Sequence, residues 1–155
     1  SRSLVLERVP DACLGGKWVL SGEGGSMWDD VVMAPVLGST ELWTFSNPGN
    51  DHHPVHLHLV PGVAVARQSL VDNSSLSLWP LESAVLKDTW DVPPRTSLTV
   101  AFRFYGSFVG LYPVHCHLAE HEGRRIDVLS VCESLLLLSL LLLLVLTKFL
   151  NFTIS

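Results

Sequence analysis

Tyr112-Pro-Val-His-Cys-His-Leu-Ala-Glu-His121 packs three histidines around one cysteine. Side chains of a β-strand alternate faces, so His115 and His117 point one way and Cys116 the other. Such a segment offers a thiolate to one side of a sheet and two imidazoles to the opposite side. Every other histidine of the chain lies in Asp51-His-His-Pro-Val-His-Leu-His58. His56 and His58 share a face by the period of two, and Pro54 fixes the backbone and lets His53 point elsewhere. All seven histidines thus fall into two clusters with strand spacing, a pattern that surface or core histidines do not make. A thiolate with two imidazoles is the ligand set of a blue-copper site, in which any axial ligand is weak and long. Zinc accepts the same donors, so a zinc site is the competing metal reading.

Outward from these motifs, short β-branched and aromatic runs alternate with turn residues. Val31-Val-Met-Ala34 reads as a strand and Gly38-Ser39 as the turn after it. A second strand holds Leu42, Trp43 and Phe45 and ends at Asn47-Pro-Gly-Asn50. His56 to Val60 continues as strand, and Val63 to Arg67 follows Pro61-Gly62. Asp72 to Ser77 is a polar loop, and Lys87 to Val92 is a strand closed by Pro93-Pro94. Thr96 to Phe104 is the cleanest alternation, with Leu98, Val100, Phe102 and Phe104 on one face and Ser97, Thr99 and Arg103 on the other. This pattern predicts an antiparallel β-sandwich.

Two segments fall outside that pattern. Residues 1–26 read as a Gly-rich irregular entry; Gly22-Glu-Gly-Gly25 lacks the lysine and following helix of a nucleotide loop. Leu135 to Leu146 is eleven apolar residues and one serine, shorter than the roughly 20 residues of a spanning helix. Residues 133–155 therefore read as a membrane anchor, a non-native terminus or, with least support, a buried helix. The expected organisation is an entry over 1–26, one domain over 27–132 and the tail over 133–155.

At 155 residues the chain holds one domain with a core, and the net charge of −5 without a basic run argues against nucleic acid. The opening residues lack a signal-peptide core and the first residue is serine, so the natural start is expected to be missing. Of the three cysteines, Cys116 is assigned to metal. Cys13 and Cys132 are either a disulfide or two unrelated thiols, which spacing does not decide. Asn73-Ser-Ser75 and Asn151-Phe-Thr153 match the glycosylation sequon, a pattern common by chance.

His53-Pro-Val-His-Leu-His58 with His115-Cys-His-Leu-Ala-Glu-His121 resembles the C-terminal cupredoxin domain of multicopper oxidases of the laccase, bilirubin-oxidase and spore-coat-oxidase type. Gly38-Ser-Thr-Glu-Leu-Trp43 and Lys87-Asp-Thr-Trp-Asp-Val-Pro-Pro94 look like segments of the same family, and the resemblance covers roughly residues 27 to 129. It implies an all-β Greek-key cupredoxin-like sandwich, with a type 1 copper held by His53, Cys116 and His121. It likewise implies a type 2 copper ligand at His56 and type 3 ligands at His58, His115 and His117. Electrons from a reducing substrate would enter at Cys116 and pass along the backbone to a trinuclear cluster that reduces dioxygen to water.

Two positions depart from or qualify the family pattern. The family places Met, Leu or Phe ten residues after the cysteine, preceded by Gly; here Ile126 follows Arg125, which implies a copper without an axial sulfur. Glu122 matches an acidic residue that the family places beside the cluster for proton delivery, against the reading of a solvated loop carboxylate. The family draws half of the cluster's histidines from an N-terminal cupredoxin domain, and no histidine of this chain remains for that half. The resemblance therefore implies partnership with N-terminal cupredoxin domains of a parent oxidase and an inactive isolated fragment. The expected substrates are phenols, bilins or metal ions, and the expected compartment is extracytoplasmic, with membrane contact only through the tail. The rival functions are an electron-transfer cupredoxin with one copper, a zinc-binding domain and a metal-free interaction sandwich.

Overall fold

A computed structural model describes residues 1–9, 17–21, 31–106, 109–118 and 127–132. Among them run β1 (Arg2–Val9), β2 (Lys17–Ser21), β3 (Val31–Met33), β4 (Thr40–Asn47), β5 (His53–Leu57) and β6 (Gly62–Ser69). They are followed by β7 (Ser75–Leu76), β8 (Thr89–Val92), β9 (Thr96–Arg103), β10 (Gly110–Cys116) and β11 (Asp127–Cys132). A six-stranded sheet has the order β2-β1-β4-β9-β6-β7, and a five-stranded sheet the order β3-β11-β10-β5-β8. This is the expected two-sheet sandwich, although not a purely antiparallel one: β1 runs parallel to β4, and β3 parallel to β11.

The alternation read from Thr96 to Phe104 builds the centre of the six-stranded sheet. Leu98, Val100 and Phe102 of β9, and Phe104 just beyond it, are buried, and β9 lies between β4 and β6. β4 answers with buried Trp43 and Phe45. From the opposite sheet come Val55, Leu57, Trp90, Val92, Val114 and Cys116, all in the same core. The Trp90 and Phe102 rings meet edge to face with centroids 5.2 Å apart and so fasten one sheet to the other.

Within the expected irregular entry over 1–26, β1 and β2 are regular strands of the six-stranded sheet. Leu4 and Leu6 alternate with exposed or half-buried neighbours and are completely buried, as is Leu20 on β2. The period of two is short there and interrupted by glycines, and it becomes a sheet only because β4 supplies a distant partner. The expected boundary at residue 27 therefore cuts through the six-stranded sheet. Other differences are local. β5 stops at Leu57 rather than Val60, because Leu59 has a φ of 73°, a left-handed conformation that ends a strand. Ser75 and Leu76, expected within a polar loop, pair with β6. Lys87 forms only an isolated bridge with Gly62 before β8 begins at Thr89.

Gly62 is required by close approach. A Cβ there would lie 2.7 Å from Val100 Cγ1 and 2.8 Å from both the Ala101 carbonyl oxygen and the Phe102 ring. Beside this strand, a buried ion pair ties the loop before β8 to the sheet: Arg67 donates to Glu82 at 3.0 Å, and its guanidinium lies 4.3 Å from the centroid of the Trp79 ring. No helix among the described residues is long and apolar enough to cross a membrane. The tail, Cys13 and the sequon at Asn151 lie outside the described residues. Asn73 is exposed, with a φ of 60°.

Candidate metal centre

The two histidine motifs become neighbours because β5 is sandwiched between β10 and β8. In the β5–β10 ladder Cys116 stands opposite Val55, and His115 opposite His56. Directly opposed residues of an antiparallel pair share a face. Cys116, Val55, Leu57 and Val114 accordingly turn into the core, and so does His53, two residues before Val55. His53 and His56 differ by an odd number of positions, so strand alternation alone separates their faces and Pro54 is not needed for it. The carbonyl of Pro54 instead accepts the His117 N–H at 2.7 Å, which holds the chain beyond Cys116 against β5.

On the inner face, Cys116 Sγ lies 3.6 Å from His53 Nδ1, and both side chains are completely buried. A sulfur and an imidazole nitrogen bound to one metal, at about 2.3 and 2.0 Å and angles between tetrahedral and trigonal, stand about 3.5–3.8 Å apart. The observed separation fits one shared ion. A soft thiolate beside imidazole is a donor set suited to copper.

On the outer face, four imidazoles converge. His58 Nε2 lies 3.0 Å from His115 Nε2, although the residues are 57 positions apart in sequence. The His56 ring centroid is 4.6 Å from that of His58, 5.4 Å from His115 and 5.2 Å from His117. One ligand atom from each of His56, His58 and His115 falls within 4.8 Å of the others, close enough for a common metal ion or a small cluster. The His115 ring is anchored from behind, with Nδ1 3.2 Å from the Cys116 carbonyl oxygen. The cysteine and the histidines thus lie on opposite sides of the sheet, as the alternation predicts.

His121, Glu122 and Ile126 lie outside the described residues. The sequence reading assigned no role to three polar groups that touch the histidines. Asp88 and Thr89 contact His56 Nδ1, and Asp91 Oδ2 lies 2.7 Å from Nδ1 of the exposed His52. In the sequence Lys87 to Val92 reads as a strand and a family-like segment; the pairing of Thr89 with His56, which brings Asp88 and Thr89 to the ring, comes from the register of β5 on β8.

A two-sheet sandwich that sets a buried cysteine and histidine behind a face of clustered imidazoles defines a copper-binding domain of cupredoxin type. Residues 14–128 match the family model described as multicopper oxidase, and the chain belongs to the multicopper oxidase family. It is 32% identical over 108 residues to a laccase of Haloferax volcanii, covering 68% of this chain and 17% of that protein. Against a laccase of Bacillus subtilis it is 33% identical over 105 residues, covering 61% of this chain and 20% of the relative. The fold is similar to the multicopper oxidase McoA of Aquifex aeolicus, with a TM-score of 0.67 and 19% identity over 84% of this chain and 28% of that one. The chain thus spans about a fifth of the length of the laccases it matches.

Proposed function

We propose that this chain is the electron-entry domain of a laccase-like multicopper oxidase. In this reading His53 and Cys116, joined by His121, hold a type 1 copper, while His56 serves a type 2 copper and His58, His115 and His117 serve type 3 coppers. Copper, when bound, supplies one-electron redox chemistry on the cysteine side and four-electron reduction of dioxygen on the histidine side. The protein's part is to bury Cys116 and His53 away from water and to join Cys116 through the backbone to His115 and His117. The observation that carries the reading is that link: the backbone from 115 to 117 runs through both ligand groups.

The outer cluster holds too few imidazoles for a complete trinuclear centre, so a further cupredoxin domain of the parent oxidase supplies the rest. Apolar surface beside the cluster supports this. A hollow of about 110 Å³ is lined by Leu59 and Val60, which follow His58, and by Tyr112 on the strand of His115. Leu59 and Tyr105 in its lining are half or more exposed, an apolar patch of the kind that other domains cover. Phenols, bilins and metal ions are the reducing substrates this reading admits, and the compartment it favours is extracytoplasmic. Glu122 is assigned to proton delivery.

The test is copper titration of the purified chain followed by visible absorption and electron paramagnetic resonance, with Cys116→Ser as control. An intense blue band that saturates near one copper per chain and vanishes in the variant is expected. Tight metal binding without colour, satisfied equally by zinc, would overturn the type 1 assignment.

A further inference from the structure

β8 sets Thr89 opposite His56 in the β5–β8 ladder. His56 Nδ1 lies 3.0 Å from Thr89 Oγ1 and 3.1 Å from the Asp88 carbonyl oxygen. The carbonyl only accepts hydrogen bonds, and it is held in place by the Leu57 N–H at 3.0 Å. The Thr89 hydroxyl has one proton, which it donates to Asp88 Oδ1 at 3.1 Å. Towards His56 it therefore presents a lone pair as well. A ring nitrogen that faces two acceptors carries hydrogen, and in a neutral imidazole the lone pair is then left on Nε2.

From this geometry we infer that the Asp88–Thr89 pair is a positioning device, which fixes His56 as its Nδ1–H tautomer and leaves Nε2 as the ligating atom toward the histidine cluster. The inference rests on the metal-binding reading of that cluster, but the tautomer itself is a property of the metal-free chain. Three groups act in series. The Asp88 carboxylate, 64% exposed, orients the Thr89 hydroxyl; the hydroxyl orients the largely buried His56 ring; the ring faces His58, His115 and His117. Outer partners of this kind set ring orientation and the basicity of a ligating histidine, and their loss typically weakens metal binding about 10–100-fold. Because the Asp88 carbonyl survives any side-chain change, removal of the hydroxyl alone falls at the lower end of that range.

The experiment uses the full chain in a Cys116→Ser, His53→Gln background, which removes the buried cysteine–histidine pair and leaves the histidine cluster. Thr89→Val keeps a β-branched side chain of nearly the same volume in the strand. We expect it to weaken Cu²⁺ binding about tenfold by calorimetric titration and Thr89→Ser to restore it. Nitrogen-15 spectra of histidine-labelled, metal-free protein at pH 8 give the second readout, with His56 assigned by its loss in His56→Gln. They should show Nδ1–H in the parent and a tautomer mixture in Thr89→Val. An Nε2–H form in the parent, unchanged binding and tautomer in Thr89→Val, or failure of Thr89→Ser to restore binding would each overturn the inference. A parent chain that shows the Nδ1–H form yet binds no copper at its histidines refutes instead the metal reading beneath it.

Discussion

Cys116 Sγ and His53 Nδ1 lie 3.6 Å apart inside a core that contains Trp90 and Val92, although 63 positions of chain separate them. The fold itself brings a thiol and an imidazole together that deep in the core. Binding then selects the folded state alone, because an unfolded chain keeps no such pair together. Copper at about 100 times its dissociation constant should add about 2.7 kcal/mol to stability. Calorimetric melting should show the increase in the parent chain and a smaller one in Cys116→Ser, where only the outer histidines remain.

Gly62 faces the backbone and side chains of β9 with no room for a methyl group. Gly62→Ala is expected to lower stability by about 1–3 kcal/mol, the usual cost of forcing extra volume into a packed region. The shift of the urea midpoint at constant slope measures it. An unchanged midpoint would show that β6 moves away from β9 at no cost.

The Arg67–Glu82 pair is almost completely buried, and among the described residues Arg67 Nε and Nη1 have no hydrogen-bond partner. Its charges are therefore incompletely satisfied. Glu82→Gln strands the guanidinium and should cost about 3 kcal/mol, whereas the double change Arg67→Met with Glu82→Leu should restore most of that loss. Denaturant unfolding of Glu82→Gln and of the double variant gives the comparison. Equal losses in Glu82→Gln and the double variant would mean that the pair contributes net attraction rather than mutual neutralisation.

Asp72 sits on the exposed turn between β6 and β7. Hydrogen bonds from the side chains of Ser69 and Ser74, and then from the Ser74 backbone N–H, draw its pKa down to about 2. A carboxylate with a depressed native pKa stabilises the fold above its unfolded value near 3.8, and that contribution disappears as the pH falls through about 2. The carboxyl carbon-13 resonance should titrate near the lower value. Asp72→Asn should flatten this part of the acid unfolding curve, lowering stability by a pH-independent amount above about pH 5 and meeting the parent curve below about pH 2.

The histidine faces were legible in the sequence because alternation is a local rule: His115, Cys116 and His117 carry their own orientation, and so do His56 and His58. The β9 core face was legible for the same reason. The N-terminal strands were not. Leu4 and Leu6 are too few to outweigh the glycines after them, and the pairing of β1 with β4 is a long-range choice that no spacing encodes. The 3.0 Å approach of His58 to His115 also depends on register between distant strands. The Asp88–Thr89 contact with His56 needs the position of β8, which only the assembled sheet supplies. His121, Glu122 and Ile126 stand as sequence assignments alone.

The β5–β10 ladder, with Cys116 opposite Val55 and His115 opposite His56, has a hereditary consequence. Insertion or deletion of one residue between His53 and His58, or within Tyr112 to His117, would turn the residues beyond it through the sheet. Core residues would be exchanged for ligands on both faces in one event. The cysteine site and the histidine site therefore cannot be gained, lost or relocated separately by changes of length. They pass through evolution as a single linked trait, and only side-chain substitution can separate one from the other.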